Sequence, residues 1–119
     1  MSVKIKAGTC FVLPVTIEDD YLEEIEAIEF LLKQIDTGET IKTAYWSKEG
    51  QCRDAERISG ENTFIIMFSM EDSYLFQQDE MFYLDTRIHH QNSITNPYTN
   101  IVRVRLSSTL FAQGEEVGP

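Results

Sequence analysis

The 119-residue chain has few cysteines, few basic residues and no long apolar run, and each shortage excludes a class of protein. Its two cysteines, Cys10 and Cys52, have neither CxxC nor metal-type spacing, and two are too few for a disulfide framework. We expect free, semi-buried thiols, with a bridge between adjacent strands as the alternative. No run approaches the ~18 apolar residues of a membrane span, and the segment MSVKIKAGTC has no apolar region typical of a signal peptide. We therefore predict neither a membrane protein nor secretion by a signal peptide.

The second shortage is of positive charge. Ten Lys and Arg against 20 Asp and Glu give a formal net charge of −10. A protein that neutralises phosphates needs clustered basic side chains, and these ten are scattered along the sequence. The charge balance argues against nucleic acid as a partner. An acidic surface keeps a protein soluble and limits non-specific association, and a specific basic partner surface is the alternative explanation.

What the chain does have is a series of short alternating apolar and polar segments separated by turn signals. Residues 11–17 alternate, and Pro14 among them predicts an edge strand or a bulge because proline cannot donate to a ladder. Residues 40–47 have good strand composition, and residues 52–58 form a weaker strand pattern. Residues 101–106 predict a last strand, preceded by a polar connection at 91–99 with a turn at Asn96-Pro97.

The stretch 62–88 organises the rest of the chain. Residues 64–68, FIIMF, predict a central strand that is covered on both faces. Residues 81–90 predict its neighbour, and four of its side chains should point to the core: Phe82, Leu84, Thr86 and Ile88. Ser69 can cap one helical turn with Asp72 at its third position, which predicts a short helical turn near residues 70–76.

Residues 21–36 fit two structures. Apolar residues recur there at helical spacing, Asp20 can cap such a helix and Gly38 can close it. The alternative is a turn followed by a strand in which Ile28, Phe30 and Leu32 face inward. Local signals favour the helix slightly, and the strand is preferred for a reason given below.

Seven or eight short strands at regular spacing predict an all-β antiparallel sandwich. A chain of this length is expected to form one domain, residues 1–119, with an ordered core at about 3–110 and a frayed tail after Leu110.

The polar clusters predict no catalytic, cofactor-binding or metal-binding residues. His89 and His90 are adjacent, so on a strand they point to opposite faces and need further ligands to hold a metal. The carboxylates do not have the spacing of a calcium loop and predict a solvated acidic rim instead. They lie in three groups: Asp19-Asp20, Glu23-Glu24-Glu26 and Glu71-Asp72. We predict that the protein is not an enzyme.

Two aromatic residues have two interpretations each. Tyr83, near the start of its strand, is a candidate for a tyrosine corner, and ordinary cross-strand packing is equally compatible with it. Trp46 is the single tryptophan. A lone tryptophan on a strand is more often a core residue than a platform for stacking sugars.

The order of these features resembles a group of small immunoglobulin-like β-sandwich proteins from the structural regions of bacteriophages and prophages. It is also similar to the N-terminal sandwich of phage baseplate upper proteins. Five segments carry the resemblance, over about residues 3–110: KAGTCFVLPV at 6–15, Ile28-Glu29-Phe30, Met70-Glu71-Asp72-Ser73 with Leu75, FYLDTRI at 82–88 and IVRVRL at 101–106. In such proteins the Ile-Glu-Phe segment is a strand, which decides in favour of the strand at 21–36. The chain departs from the family at 89–92, where His-His-Gln-Asn replaces a glycine-containing hairpin.

The resemblance implies a non-enzymatic structural or assembly protein of a phage or prophage virion, in the tail or baseplate. Such a protein acts through protein–protein interfaces with other phage structural proteins and with further copies of itself. It would reside in the bacterial cytoplasm during assembly and then in the virion. The alternative is a β-sandwich module that binds a carbohydrate or a host surface, with Trp46 and Tyr98 as anchors.

Overall fold

Eight β-strands and one 3-10 helix make up the described part of the chain. A computed structural model describes residues 2–6, 8–17, 24–76, 79–91 and 93–107. The 3-10 helix, Asp72–Leu75, lies between the sixth and seventh strands. The strands are β1 (Ser2–Lys6), β2 (Phe11–Thr16), β3 (Ile25–Gln34), β4 (Thr40–Ser47), β5 (Ala55–Arg57), β6 (Thr63–Phe68), β7 (Asp79–His90) and β8 (Ile94–Ser107). In these ranges no helix is both long and apolar enough to cross a membrane.

The strands form two sheets. The larger sheet has the order β1-β8-β7-β3-β4, and the smaller has the order β2-β6-β5. Within the described strands the pairings are antiparallel except between β1 and β8, which run parallel with Ser2 opposite Arg103. The predicted all-β sandwich with one short helical turn is confirmed.

The inward-facing side chains of both sheets form a hydrophobic core. The four β7 residues predicted to face inward are all fully buried: Phe82, Leu84, Thr86 and Ile88. From the smaller sheet, the ring of Phe64 packs 6.3 Å from that of Phe30 and 5.0 Å from that of Trp46. Fully burying an apolar side chain of this size contributes about 1.5–3 kcal/mol, so the inter-sheet aromatic contacts are a large part of what holds the sheets together.

Residues 25–34 form a strand, so the strand prediction is confirmed and the helical spacing was misleading. β3 pairs with β4 on one side and β7 on the other, which satisfies its backbone groups along its length. A register shift between Ile25 and Ala27 leaves Ala27 and Ile28 both buried. This irregularity breaks the alternation and mimics a helical pattern. Residues 21–23 lie outside the described residues.

The prediction that the FIIMF strand is covered on both faces is wrong. β6 is central in its sheet, as expected, but its side chains alternate: Phe64, Ile66 and Phe68 are buried, whereas Met67 is 38% exposed. The smaller sheet covers the core with one face only, and its outer face is open to solvent. The apolar composition of residues 64–68 therefore does not indicate which of their side chains face solvent.

The predicted polar connection at 91–99 is also wrong in part, because residues 94–100 belong to β8. Thr86 lies opposite Tyr98 and Ile88 opposite Thr95, so Asn96 and Pro97 form a bulge rather than a turn. β1 pairs only with residues 103–107 of β8. The first half of β8 is therefore an edge in the described part of the sheet, where proline is tolerated.

Three smaller predictions concern an edge strand, the two cysteines and the weak strand pattern. Pro14 lies on β2, which is an edge of the smaller sheet, as expected. Cys10 and Cys52 are free, as expected, but both are exposed rather than semi-buried, because each lies in a connection before a strand. The weak strand predicted at 52–58 is reduced to the three residues of β5.

The corner between β6 and β7 is held by the predicted side chains. The Ser69 amide donates to Asp72 Oδ2 at 2.8 Å, and the Asp72 amide donates to Ser69 Oγ at 3.1 Å. This reciprocal pair has the logic of a capping box. The next residue, Ser73, is buried; its hydroxyl accepts from the Gly8 amide at 2.8 Å and donates to the Met70 carbonyl at 2.6 Å. The corner is thereby fixed to the turn between β1 and β2.

Candidate functional site

The outward-pointing side chains of β1, β8, β7, β3 and β4 form one continuous surface, called here the sheet face. At its centre Met81, Tyr83 and Ile101 are 49%, 40% and 48% exposed. Tyr83 lies directly opposite Ile101, and Met81 is two residues along the same side of β7, opposite Arg103. These three side chains form an apolar patch. Exposed apolar clusters rimmed by polar groups are typical of interaction sites.

One end of the sheet face is basic. It carries five exposed cations, called here the basic end: Lys4, Lys6, Lys33, Arg103 and Arg105. Lys4 lies opposite Arg105 across the parallel pair, and Asp79 lies on the other side of Arg105. Half of the ten basic residues of an acidic chain are therefore gathered on one surface. Sequence reasoning missed this cluster, although the alternating segments VKIK and VRVR both contain a signal for outward-facing cations.

The opposite end of the sheet face is mixed in charge, and is called here the mixed end. Glu29 Oε2 lies 2.8 Å from His89 Nε2 and 3.6 Å from Arg87 Nη1. Glu26 and Glu49 are exposed nearby and line a shallow depression together with His89. Three carboxylates thus share this end with the cations Arg87 and Lys48, whereas cations predominate at the other end.

A groove of about 640 Å³ runs between the mixed end and the segment 50–53. The segment is fixed beside β4 because the Tyr45 amide donates to the Arg53 carbonyl at 2.8 Å and the Arg53 amide donates to the Tyr45 carbonyl at 2.7 Å. Leu31, Asp85 and Arg87 contribute to the opposite wall. The groove combines apolar and charged groups, so it can receive a protruding side chain of a partner.

The histidines do not come together as a metal site. His89 contacts Glu29 on the sheet face, whereas the His90 ring lies 3.4 Å from the Thr95 hydroxyl. Within the described ranges no group of three or more His, Cys, Asp or Glu side chains converges. Of the predicted rim residues, Glu24, Glu26 and Glu71 are exposed, as a solvated rim requires, whereas Asp72 is only partly exposed. The others, Asp19, Asp20 and Glu23, lie outside the described residues.

Asp72 serves a structural role rather than a chemical one. Lys42 Nζ lies 2.8 Å from Asp72 Oδ2, 2.9 Å from Asp54 Oδ2 and 5.5 Å from the centre of the Phe68 ring. Burial lowers the pKa of Lys42, but its hydrogen bonds to the two carboxylates outweigh this and hold the pKa above its ordinary value. Burial likewise raises the pKa of Asp72, and the bonds from Lys42 and Ser69 outweigh it and hold the pKa below its usual range. Asp72 is thus a charged structural group at neutral pH.

The structure decides between the two interpretations of Trp46 and of Tyr83. Trp46 is half-buried, with its indole edge-on to Phe64 at 5.0 Å, so it is a core residue and not a sugar platform. Tyr83 is exposed on the sheet face opposite Ile101, which is cross-strand packing and not a buried tyrosine corner. The backbone of Tyr98 lies in β8, and its side chain is outside the described residues.

The sheet orders define the class of fold. In a variable-type immunoglobulin domain, strands G, F, C and C′ form one sheet and B, E and D lie in the other. β8, β7, β3 and β4 occupy the first four positions, and β2, β6 and β5 occupy the other three. Antibody domains join strands B and F by a disulfide, whereas β2 and β7 contain no cysteine and contribute buried apolar side chains such as Leu13 and Leu84 to the core.

Comparisons with known proteins agree with this fold. No protein-family model matches the chain, and no curated protein matches its sequence. Among solved structures it is similar to the extracellular domain of the voltage-gated sodium channel beta4 subunit, described as parallel homodimers that explain a role in cell–cell adhesion. That likeness has 12% identity, covers 92% of each chain and has a TM-score of 0.53. The chain is also similar to murine CRIg, at 10% identity over 89% of this chain and 92% of that one, with a TM-score of 0.49. The predicted immunoglobulin-like sandwich is confirmed.

These comparisons correct the functional prediction. The expectation of a phage tail or baseplate component is wrong: the solved structure with a TM-score of 0.53 is an extracellular domain described in cell–cell adhesion and not a phage protein. The alternative, a β-sandwich module that binds a surface, agrees with them better. The resemblance to phage sandwiches itself, which short segments carry, stays a prediction.

Proposed function

We propose that the protein is a non-enzymatic immunoglobulin-like recognition module that binds a second copy of itself through the sheet face. The observation that carries this proposal is the apolar patch of Met81, Tyr83 and Ile101, which lies in the middle of a broad surface and is bordered by Arg103 and Lys33. Tyrosine, methionine and arginine are the residue types enriched at the centres of protein interfaces.

The arrangement of titratable groups supports binding rather than catalysis. Lys42 and Asp72 are joined in an ion pair between the 3-10 helix and β4, and Glu29 is engaged by His89. Each of these carboxylates is held by a cation or an imidazole as part of the architecture. The groove beside Tyr45 offers shape and mixed polarity, which suit the reception of a partner side chain.

Two features favour a second copy as the partner. The apolar patch lies near the middle of the sheet face, with charges toward both ends, and an interface between identical copies needs such a self-complementary surface. The similar beta4 extracellular domain is described as a homodimer, which supports the proposal at the level of the shared fold.

The test is sedimentation of the full 119-residue chain over a wide concentration range. Wild-type protein is expected to form dimers, and Ile101→Asp is expected to weaken them at least roughly thirtyfold, because each copy brings an unpaired carboxylate into the interface and burying even one costs at least about 2 kcal/mol. Val12→Asp is the matched control: Val12 is 51% exposed at a strand position on the outer face of the smaller sheet.

Val12→Asp is expected to dimerise like the wild type, and thermal melts of both variants establish that they are folded. A wild-type chain that stays monomeric at all concentrations would refute the proposal. Equal weakening by both substitutions would also count against it, because the effect would then not come from the sheet face.

A further inference from the structure

We infer that the two copies pair antiparallel, so that the basic end of each sheet face lies against the mixed end of the other. This deepens the proposed function and rests on it. The inference differs from what the fold alone suggests, since the similar beta4 domain is described as a parallel homodimer. It follows from where the charges lie along the strands of this chain.

The direction of the strands separates the two ends. β3 begins at the mixed end with Glu26 and Glu29 and finishes at the basic end with Lys33. β8 runs in the same direction as β3, because both are antiparallel to β7, and it finishes with Arg103 and Arg105. β1 is parallel to β8 and adds Lys4 and Lys6 at the same end. The charge gradient therefore runs along the strands.

A parallel dimer would bring the two basic ends together. Lys33, Arg103 and Arg105 would then lie at the same end of the interface as the cations of the partner, across a surface from which water is largely excluded. Like charges placed opposite each other in an interface are strongly unfavourable and serve to reject wrong partners. The beta4-like orientation is therefore disfavoured by the positions of these side chains, even though the fold permits it.

An antiparallel dimer about a twofold axis across the strands has the opposite consequence. Each β3 then faces β3 of the other copy in the reverse direction, so Lys33 approaches the end that carries Glu26 and Glu29. The same contact is made twice by symmetry. Lys33 pairs with Tyr83 and Glu29 pairs with Arg87, so the axis that sets Lys33 against Glu29 passes midway, at the level of Asp85. The apolar patch of each copy then lies two residues from the axis and is covered by the Arg87 end of β7 in the other copy.

A charge-exchange experiment tests the orientation. One double variant reverses the basic end, Lys33→Glu with Arg105→Glu, and the other reverses the mixed end, Glu26→Lys with Glu49→Lys. All four side chains are exposed, so the fold is expected to tolerate the changes. Each variant alone is expected to dimerise at least roughly tenfold more weakly than the wild type, because like charges now meet.

A one-to-one mixture of the two double variants is expected to form heterodimers with nearly wild-type affinity. In an antiparallel heterodimer the basic end of the first variant, now acidic, meets the mixed end of the second, now basic. The two unchanged ends meet each other as in the wild type. Native mass spectrometry with one variant isotope-labelled distinguishes heterodimers from homodimers. Higher ionic strength is expected to weaken the wild-type dimer, because exposed charges are screened.

Three results would overturn the inference. If the variant with the reversed basic end dimerises more tightly than the wild type, the dimer is parallel. If both variants dimerise like the wild type, the end charges do not set the orientation. In either case the wild-type dimer persists and the proposed function stands, whereas a monomeric wild type removes both proposals.

Discussion

Replacing Lys42 by methionine removes the cation that joins β4 to the 3-10 helix and to the loop before β5. The Lys42 ammonium lies 2.8 Å from Asp72 Oδ2 and 2.9 Å from Asp54 Oδ2. Methionine retains most of the apolar stem that packs near Phe68, so the substitution isolates the charge. It leaves Asp72, whose side chain is only 20% exposed, without its cation.

The magnitude follows from the burial of the two carboxylates. A hydrogen bond to a charged group contributes about 1.5–3 kcal/mol when it is shielded from water, and an exposed ion pair contributes about 0–1 kcal/mol. Asp54 is 47% exposed, so the Asp72 contact dominates. We expect Lys42→Met to lower the free energy of unfolding by about 2 kcal/mol, and Asp54→Asn to lower it by less than about 1 kcal/mol.

The pH dependence has a definite sign. Although burial raises the pKa of Asp72, its bonds to Lys42 and Ser69 place it below the ordinary value in the folded state. The stabilisation from such a group is present above the unfolded pKa and is lost as the pH falls through the folded one. Although burial lowers the pKa of Lys42, its bonds raise it overall, so its contribution is complete below 10.5 and is lost as the pH rises through the folded value. The advantage of wild type over Lys42→Met should therefore be constant between about pH 5 and 9 and shrink on both sides.

Urea denaturation followed by Trp46 fluorescence is the assay, because the indole packs against Phe64 in the core and is expected to report the loss of that contact. A double-mutant cycle of Lys42→Met and Asp72→Asn should give a coupling free energy of at least about 1 kcal/mol. A coupling near zero would refute the reasoning. So would a loss on Asp54→Asn as large as that on Asp72→Asn.

Two further stability predictions concern single buried or crowded positions. Thr86→Val should raise the free energy of unfolding by about 1 kcal/mol, because Thr86 Oγ1 is fully buried and makes no hydrogen bond; calorimetry showing a lower melting temperature would contradict this. Gly8→Ala should lower the free energy of unfolding by about 2 kcal/mol, since Gly8 has φ +81° and an added Cβ lies 2.7 Å from the Tyr74 hydroxyl. Adding Tyr74→Phe should restore part of this loss in denaturant melts. Gly38→Ala, with φ +70° and open space around it, should show only the backbone cost of about 1 kcal/mol.

The parts of the fold that the sequence predicted are those set by local alternation. β7 is the clearest case, because its period-two pattern gives the correct inward face from Phe82 to Ile88. The corner at Ser69 and Asp72 was also predictable, since capping chemistry acts between neighbours in the chain. Where a register shift interrupts the alternation, as between Ile25 and Ala27, the local pattern pointed to a helix instead.

The sheet face was not predictable, because it depends on which strands lie side by side. Lys4 and Arg105 are far apart in the sequence and become neighbours only through the parallel pairing of β1 with β8. The ten Lys and Arg are scattered along the sequence, which suggested a dispersed arrangement, but five of them lie together at one end of the sheet face. The proline at position 97 likewise signalled a turn, whereas long-range pairing with β7 keeps it within β8 as a bulge.

The pairing of β1 with β8 also determines when the larger sheet can be completed during synthesis. Ser2 pairs with Arg103, which is synthesised roughly a hundred residues later, so the five-stranded sheet cannot be complete before then. Pairings over such sequence distances form late and slowly. Ribosomes add roughly 5–20 residues per second, so after β7 is made the larger sheet stays incomplete for about 1–3 seconds, until β8 has been synthesised. Because β8 is synthesised after the other strands of its sheet, a nascent chain presents no complete sheet face to its neighbours on the same polysome.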